Sequence, residues 1–425
     1  MDQFPRMFRL RQHFDTPRLQ DIPQAVATAL ARVEVRAKVN PGDTVAIAVG
    51  SRGIRNLSAI VTAAVHELKR MGAEPFIVPA MGSHGGGTAE GQVKVLARLG
   101  VTPESAGCPV RSEIEPAVIG ESPLGFPIYF DRVALTATHI VVINRIKPHT
   151  MFVGPVESGL MKMLLIGLAK PRGAALYHRA IFNYSFPQII EGVVERVLAK
   201  CPVLCGLAII ENAAEDTAMI EGLRAEEFAT HEPELLSLAK RLMPRLPFDE
   251  VDLLIIDQIG KDISGAGMDT NIVGRKYNDH EARPDERPRV STIYVRGLTP
   301  ATAGNATGIG IAEICRSRII EQMDQNATRL NCLTAGHLTA AMLPVHFATD
   351  REALNAPFAR YGLRPAQDWR WLWIRDTLHL GELLASEAYW QAAERSAHLD
   401  AVTEAAPLRF DDAGQLIEQF GVPEA

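Results

Sequence analysis

Apolar positions in the first half of the chain fall into short β-branched runs that alternate with stretches of helical spacing. Residues 44–49 (Thr-Val-Ala-Ile-Ala-Val) are apolar almost without interruption and predict a buried strand, followed by a glycine-containing loop. Over 59–71, Ile60, Ala63, Ala64 and Leu68 share one face and predict a helix. Residues 75–78 predict the next strand, which ends in Gly82-Ser83-His84-Gly85-Gly86-Gly87-Thr88. The segment after it, to Leu99, reads as a helix with a partial start signal. Thr88 is placed to cap it, but Gly91 stands where a capping box wants Glu or Gln. Residues 139–143 and 203–210 predict further strands, with a helix over 187–200. A second series starts with a strand at 251–256 and a polar, proline-containing loop over 276–289. A helical pattern at 308–323 and a Trp-rich segment at 369–373, expected to pack its own domain, complete it.

This rhythm predicts an α/β protein of two domains, with mainly parallel sheets flanked by helices. Pro244 and Pro247 mark 243–247 as the linker, giving an N-terminal α/β domain over 1–247 and a C-terminal α/β domain over 248–425. Ligands of such sheets bind at the carboxyl ends of the strands. Three loops leaving strand ends carry chemical residues, namely 51–55, 82–88 and 145–158, which places the active site there, in the interdomain cleft.

Composition narrows the classes. In 425 residues, 47% are hydrophobic, enough for large cores. The net charge of −6, with no Lys/Arg block, speaks against a nucleic-acid footprint. Neither a signal-peptide pattern nor an apolar run of membrane-spanning length is present, so a cytoplasmic protein away from the membrane is expected. Five cysteines without paired clusters read as reduced thiols.

The chemistry concentrates around one residue. Lys162 interrupts the apolar stretch 159–168, where an ammonium is disfavoured unless paired, neutralised or used. A desolvated lysine is a candidate nucleophile, and a lysine that snorkels to water is the alternative. Pro148-His149 precedes it and Tyr177-His178 follows it. Pro171 and Gly173 are expected to break the helix between Lys162 and His178, so that the two sit on separate segments that fold back toward one point. His84 and His149 are candidate acid/base groups, or alternatively a turn histidine and a core histidine. The glycines around His84 suit an anion, and Arg52 and Arg55 suit a carboxylate or phosphate. As bland alternatives, both loops are solvated turns.

In this order, these residues resemble the nickel-pincer nucleotide-dependent lactate racemase family of 2-hydroxyacid racemases and epimerases. Arg55 matches its arginine after an early strand, and Gly82, His84 and Thr88 match its Gly-x-His loop. Pro148, His149, Ser158, Gly159 and Lys162 match its Pro-His, turn and lysine. His178 matches a histidine sixteen residues beyond that lysine. The resemblance implies a pyridinium-3,5-bisthiocarboxylic acid mononucleotide attached covalently to Lys162, with nickel completed by His178. Ser51, Arg52, Ser158 and Gly159 would line that cofactor. His84 and His149 would be the acid/base pair, Arg55 would hold the substrate carboxylate, and Arg275, or else Lys261, would reach the site from the second domain. The implied reaction moves hydride reversibly from a 2-hydroxy acid to the cofactor through a 2-keto acid. It also implies cofactor-synthesis enzymes as partners and is compatible with a homo-oligomer.

The spacing from His149 to Lys162 is thirteen residues, longer than expected for lactate racemases, and the second domain lacks the family's Tyr-Gln. Both changes fall where substrate would be contacted, so the expected substrate is a hydroxy acid other than lactate, such as a sugar acid. Two rival classes stay open on the residues themselves: a lysine Schiff-base lyase or aldolase at Lys162, and a non-catalytic nucleotide- or anion-binding protein using the glycine loop.

Overall fold

A computed structural model describes residues 4–417. The chain divides into two units: one is Asp15–Met243, and the other takes the segment up to Phe14 together with everything from Pro244 onward. The break after Met243 falls at the proline-flanked linker. The opening segment lies differently from expectation, because Met7–Gln12 is a strand inserted antiparallel between Glu382–Ser386 and Leu399–Ala401. Its backbone hydrogen bonds are satisfied only there, so it goes with the later unit.

In the unit Asp15–Met243, α1 (Ile22–Arg32) leads into β1 (Thr44–Val49), α2 (Leu57–Arg70), β2 (Glu74–Pro79) and α3 (Ala89–Arg98). Then come β3 (His139–Arg145), α4 (Lys170–Ala180), α5 (Phe186–Lys200), β4 (Val203–Glu211), β5 (Thr217–Arg224) and α6 (Phe228–Leu242). The sheet order is β2-β1-β3-β4-β5, all parallel except the edge strand β5. Both faces are covered, which is why the strands read as unbroken apolar runs rather than alternating ones. Ala46, Ala48, Phe76, Val78, Ile140 and Val142 pack against one core with the 160–168 segment. Val45, Ile47, Val49, Ile77, Val141 and Ile143 point into the other, with α1 and α2. Strand periodicity of two thus splits each strand between two cores.

The helix starts follow local chemistry. Thr88 accepts the Gly91 N–H at 3.1 Å, so it caps α3 without the reciprocal half of a capping box. Ser185 and Gln188 form a full box on α5. Pro171 and Gly173 do not break a helix: they occupy the first turn of α4, where proline is tolerated because its missing N–H has no partner to lose. The separation from Lys162 comes instead from a π-helical turn over Met163–Gly167, with Leu168 N–H bonding back to Met163 O at 2.9 Å, and from a left-handed Lys170 (φ 58°).

The other unit is an eight-stranded mixed sheet, parallel from Val345–Phe347 through Ile314–Arg316, Arg289–Val295 and Glu250–Ile256 to Trp371–Ile374. The helical pattern expected over 308–323 resolves into a single turn Ile309–Ile311, the strand Ile314–Arg316 and a short helix Ser317–Gln322. Two glycines, Gly308 and Gly310, weaken helix there, while Ile314 and Cys315 pair with Tyr294 and Val295. Trp371 and Trp373 are fully buried on their strand and pack the unit's core. All five cysteines are buried free thiols. No helix among the described residues is long and apolar enough to cross a membrane.

One close approach links the sheet to the lysine segment. A Cβ at Gly206 on β4 would lie 2.5 Å from Leu160 Cδ1 and 2.9 Å from Phe228 Cζ. Gly206→Val should therefore overpack this core and lose about 1–3 kcal/mol. Urea unfolding measures it, and an unchanged midpoint would show that the contact is slack.

Candidate active site

The sheet order makes β1 and β3 neighbours whose chain connections leave to opposite sides, the position where open α/β sheets bind ligands. Ser51 and Arg52 follow β1, His84 follows β2, and His149 follows β3. The loops that carry Ser51, Arg52, His84 and His149 therefore leave one edge of the sheet.

Lys162 ends the short helical turn Leu160–Lys162. The residue is half-buried, yet its amine lies far enough inside that burial pushes it down to about 7, with the Arg52 charge acting in the same direction and Glu157 opposing. It faces an aromatic ring: Nζ stands 4.9 Å from the centroid of Phe152. The turn is held from behind. Glu232 on α6, fully buried, accepts the Met161 N–H at 3.0 Å, and Asn144 Nδ2 donates to Gly159 O at 2.7 Å. A Cβ on Gly159 would come within 2.2 Å of Glu232 Oε1, so glycine here admits the carboxylate that fixes the lysine turn.

Phe152 is the hub. It stacks on His149 with ring centroids 4.0 Å apart and planes 8° apart, and its centroid lies 6.5 Å from that of His178. It also stacks on Phe186 at 4.1 Å, which anchors it to α5. His149, Lys162 and His178 are thus brought together around one ring. His149 is fixed further: its backbone N–H donates to Glu157 Oε2 at 2.8 Å, and its Nδ1 accepts the N–H groups of Met151 and Phe152, each at 3.0 Å. Glu157 is itself buried, with Lys240 Nζ 2.8 Å from Oε1. Burial, and then the Lys162 charge, hold His178 below the ordinary histidine range, so its imidazole is neutral and ligand-ready at neutral pH.

His84, exposed, shares a short hydrogen bond between its Nδ1 and Ser51 Oγ, which joins the loops after β1 and β2. Its loop is docked by a second lysine. Lys170 is completely buried, with Nζ 2.8 Å from Pro79 O, 2.7 Å from Asp131 Oδ2 and 3.4 Å from Gln92 Oε1. Gln92 in turn donates to Gly82 O at 2.8 Å. The end of β2, the start of the His84 loop and the first turn of α4 therefore meet at one ammonium.

Other expected residues lie elsewhere. Arg55 turns its guanidinium to Asp216 at 3.6 Å and is largely exposed, and its backbone N–H donates to Glu211 Oε1 at 2.6 Å. Arg52 is the arginine whose charge acts on Lys162, and Arg145, paired with Glu211, acts on Arg52 in turn. Arg275 belongs to the other unit, where it is fully buried, donates to Val290 O at 2.6 Å and pairs with Glu313 at 3.1 Å, an internal structural position. Ser158 contributes its carbonyl to the Lys147 N–H at 3.0 Å. Phe152, Lys170, Asp131, Gln92 and Glu232 were not singled out from sequence. Only the Lys170 charge so close to an apolar run carried a signal for any of them.

Two outcomes follow from this electrostatics. Labelling of Lys162 by an amine reagent, followed by peptide mass spectrometry, should be half-maximal near pH 7 rather than near the ordinary lysine value of 10.5, and Arg52→Ala should move the midpoint upward. A midpoint at the ordinary value would refute the buried-amine description. Lys170→Met, which strands Asp131, should cost about 3–5 kcal/mol in urea unfolding, with Lys170→Met/Asp131→Asn recovering part of the loss.

Comparison with known proteins adds a family. Residues 10–186 match the model of the lactate racemase N-terminal domain. Among solved structures, the lactate racemase apoprotein from Thermoanaerobacterium thermosaccharolyticum is similar at 12% identity and a TM-score of 0.50, covering 82% of this chain and 87% of its own. A Thermotoga maritima protein solved by structural genomics is similar at 13% identity and a TM-score of 0.50, covering 77% and 84%. At such identities these likenesses speak for the fold. No curated protein matches the sequence. Residues 10–186 thus resemble the lactate racemase N-terminal domain, and the fold as a whole is similar to that of a lactate racemase apoprotein.

Proposed function

We propose that this protein is a racemase or epimerase of a 2-hydroxy acid, acting through a 2-keto acid with a nickel-pincer mononucleotide held at Lys162 and His178. The observation that carries the reading is the convergence of His149, Lys162 and His178 on the Phe152 ring, within the stretch that matches the lactate racemase N-terminal domain.

The residues fit that group. An amine at about 7 is substantially unprotonated at neutral pH, as a nucleophile that joins a thioacid arm must be. A neutral His178 suits nickel. Among the described residues no three His, Cys, Asp or Glu side chains cluster as a metal site, which fits a metal whose other donors belong to the group attached at Lys162. Arg52 and Arg145 supply positive charge for a phosphate or carboxylate. When bound, the pincer group would reversibly accept the substrate's Cα hydrogen as hydride.

This chain's own residues then orient and exchange protons. In this reading His84, hydrogen-bonded to Ser51, and His149, on the loop after β3, would be the acid/base pair that exchanges the substrate hydroxyl proton. Arg52 takes the carboxylate role that Arg55, turned to Asp216, leaves open. A hydroxy acid with more polar groups than lactate, such as a sugar acid, remains the proposed substrate class. The lowered amine also favours a second reading, a Schiff-base lysine, which borohydride trapping with a carbonyl substrate would reveal.

Co-production with the pincer-synthesis enzymes tests the proposal. Intact mass should show a mononucleotide-sized adduct mapping to Lys162 and about one nickel per chain, both lost in Lys162→Ala. His84→Gln should keep the adduct and nickel but lose interconversion of a 2-hydroxy acid followed by chiral chromatography. An unmodified chain alongside demonstrably active synthesis enzymes would overturn the reading.

A further inference from the structure

We propose that the surface formed by residues 330–345 is the contact through which two copies of this chain associate about a two-fold axis.

The stretch is built with its apolar side chains outward. The helix Gln325–Ala335 buries Thr328 and Cys332, while Leu330 and Leu333, on the opposite face, stand in water. The helix cannot roll to hide them, because its buried face is tied down by polar contacts. Thr328 Oγ1 accepts the Ala306 N–H at 3.0 Å, and Cys332 Sγ donates to Thr307 Oγ1 at 3.9 Å. The turn that follows is equally fixed. His337 Nε2 lies 2.8 Å from both carboxylate oxygens of Asp279, and Thr339 Oγ1 donates to the same carboxylate. Gly310 admits the Thr339 carbonyl, which a Cβ there would meet at 2.0 Å. Leu338, Met342 and Leu343 are exposed around this turn, and Val345 opens the strand Val345–Phe347, the outer strand of the eight-stranded sheet. Among the described residues twelve large hydrophobic side chains are exposed, and six of them fall within 330–345, which marks this region out from the surface at large.

The chemistry of the surface selects its occupant. Between Asp324 and Asp350 the single formally charged residue is Arg329, in a chain where 22% of residues are charged. A charged partner would find nothing to pair with, and an anionic lipid surface would require a basic cluster beside the apolar residues. A second copy needs neither. Each copy carries a formal net charge of −6, and this stretch has no carboxylate to hold two copies apart. At 53–66% exposure the six residues present about 600 Å² per copy, so a pair buries about 1,200 Å², the lower bound for a stable specific interface. A two-fold axis beside the outer strand also sets two identical edges antiparallel, so that each covers the edge at which the other's sheet ends.

Analytical ultracentrifugation of the full chain tests this. At about 50 μM, above the micromolar Kd of a weak interface, the wild-type mass should be twice 46.4 kDa. Leu333→Glu and Val345→Glu should each return it to 46.4 kDa with an unchanged far-ultraviolet circular dichroism spectrum. Val118→Glu, at an exposed apolar position of the other unit, should leave the mass doubled. If a glutamate variant unfolds, Leu338→Ser makes the same test in a milder form. A wild-type mass other than the doubled one, or a doubled mass that survives the substitutions at 333 and 345, overturns the proposal. The mass is read without cofactor or substrate, so this result and the adduct at Lys162 succeed or fail separately.

Discussion

The arrangement of the site depends on one buried ammonium. Lys170 is completely enclosed, donating to a main-chain carbonyl at the end of β2 and to the amide of Gln92 and forming an ion pair with the carboxylate of Asp131. Those partners come from three separate elements, so the charge fixes their mutual positions more strictly than apolar packing would. A buried ion pair is a weak source of net stability, because desolvation offsets most of the attraction. Its effect is geometric. Gln92 passes the constraint on to Gly82 O, and so to the loop that carries His84. The left-handed backbone of Lys170 is local strain of about 1–3 kcal/mol, held in place by the same contacts.

A second constraint acts from the other side. Glu232 sits beneath Gly159 and caps the turn that ends in Lys162. Burial drives its carboxyl up to about 8, so this contact is maintained in a dry environment where each hydrogen bond is strong. The π-helical turn that follows advances the chain by one extra residue between Lys162 and α4. His178 consequently faces Phe152 from a helix whose axis is independent of the lysine turn. Phe152 itself is supported by Phe186, the first residue of a well-capped helix. Each chemical residue is thus held by an element that contributes no chemistry of its own.

Much of this was legible in the sequence. The strands β1 to β4 announced themselves as apolar runs because both sheet faces are covered, Lys162 stood out as a charge in an apolar run, and His149 and His178 stood out by flanking it. What could not be read was partnership across distance. Phe152 carries no local signal, since nothing nearby in sequence says that two imidazoles and an amine will surround it. Arg52 and Arg55 are equivalent in sequence, and only the fold shows that Asp216 lies opposite Arg55. Pro171 was misread because proline disrupts the interior of a helix but is tolerated in its first turn, and the two cases share one local pattern. Arg275 is a related case, because a buried structural arginine and a substrate-binding one have the same composition around them, and only the fold shows it enclosed beside Glu313.

The two lysines show what decides the difference between structure and chemistry. Both lie in the same twenty-residue stretch and both are removed from water, so surroundings alone would assign them the same fate. Lys170 meets three acceptors, one of them a carboxylate, and its charge is absorbed into the fold. Lys162 meets the face of a phenyl ring, a neighbouring guanidinium that repels it, and a carboxylate committed to His149 and Lys240. Its neutral form is thereby made accessible, which is the property a nucleophile needs. The number and charge of the acceptors around each amine, rather than its hydrophobic setting, separate the reactive lysine from the structural one.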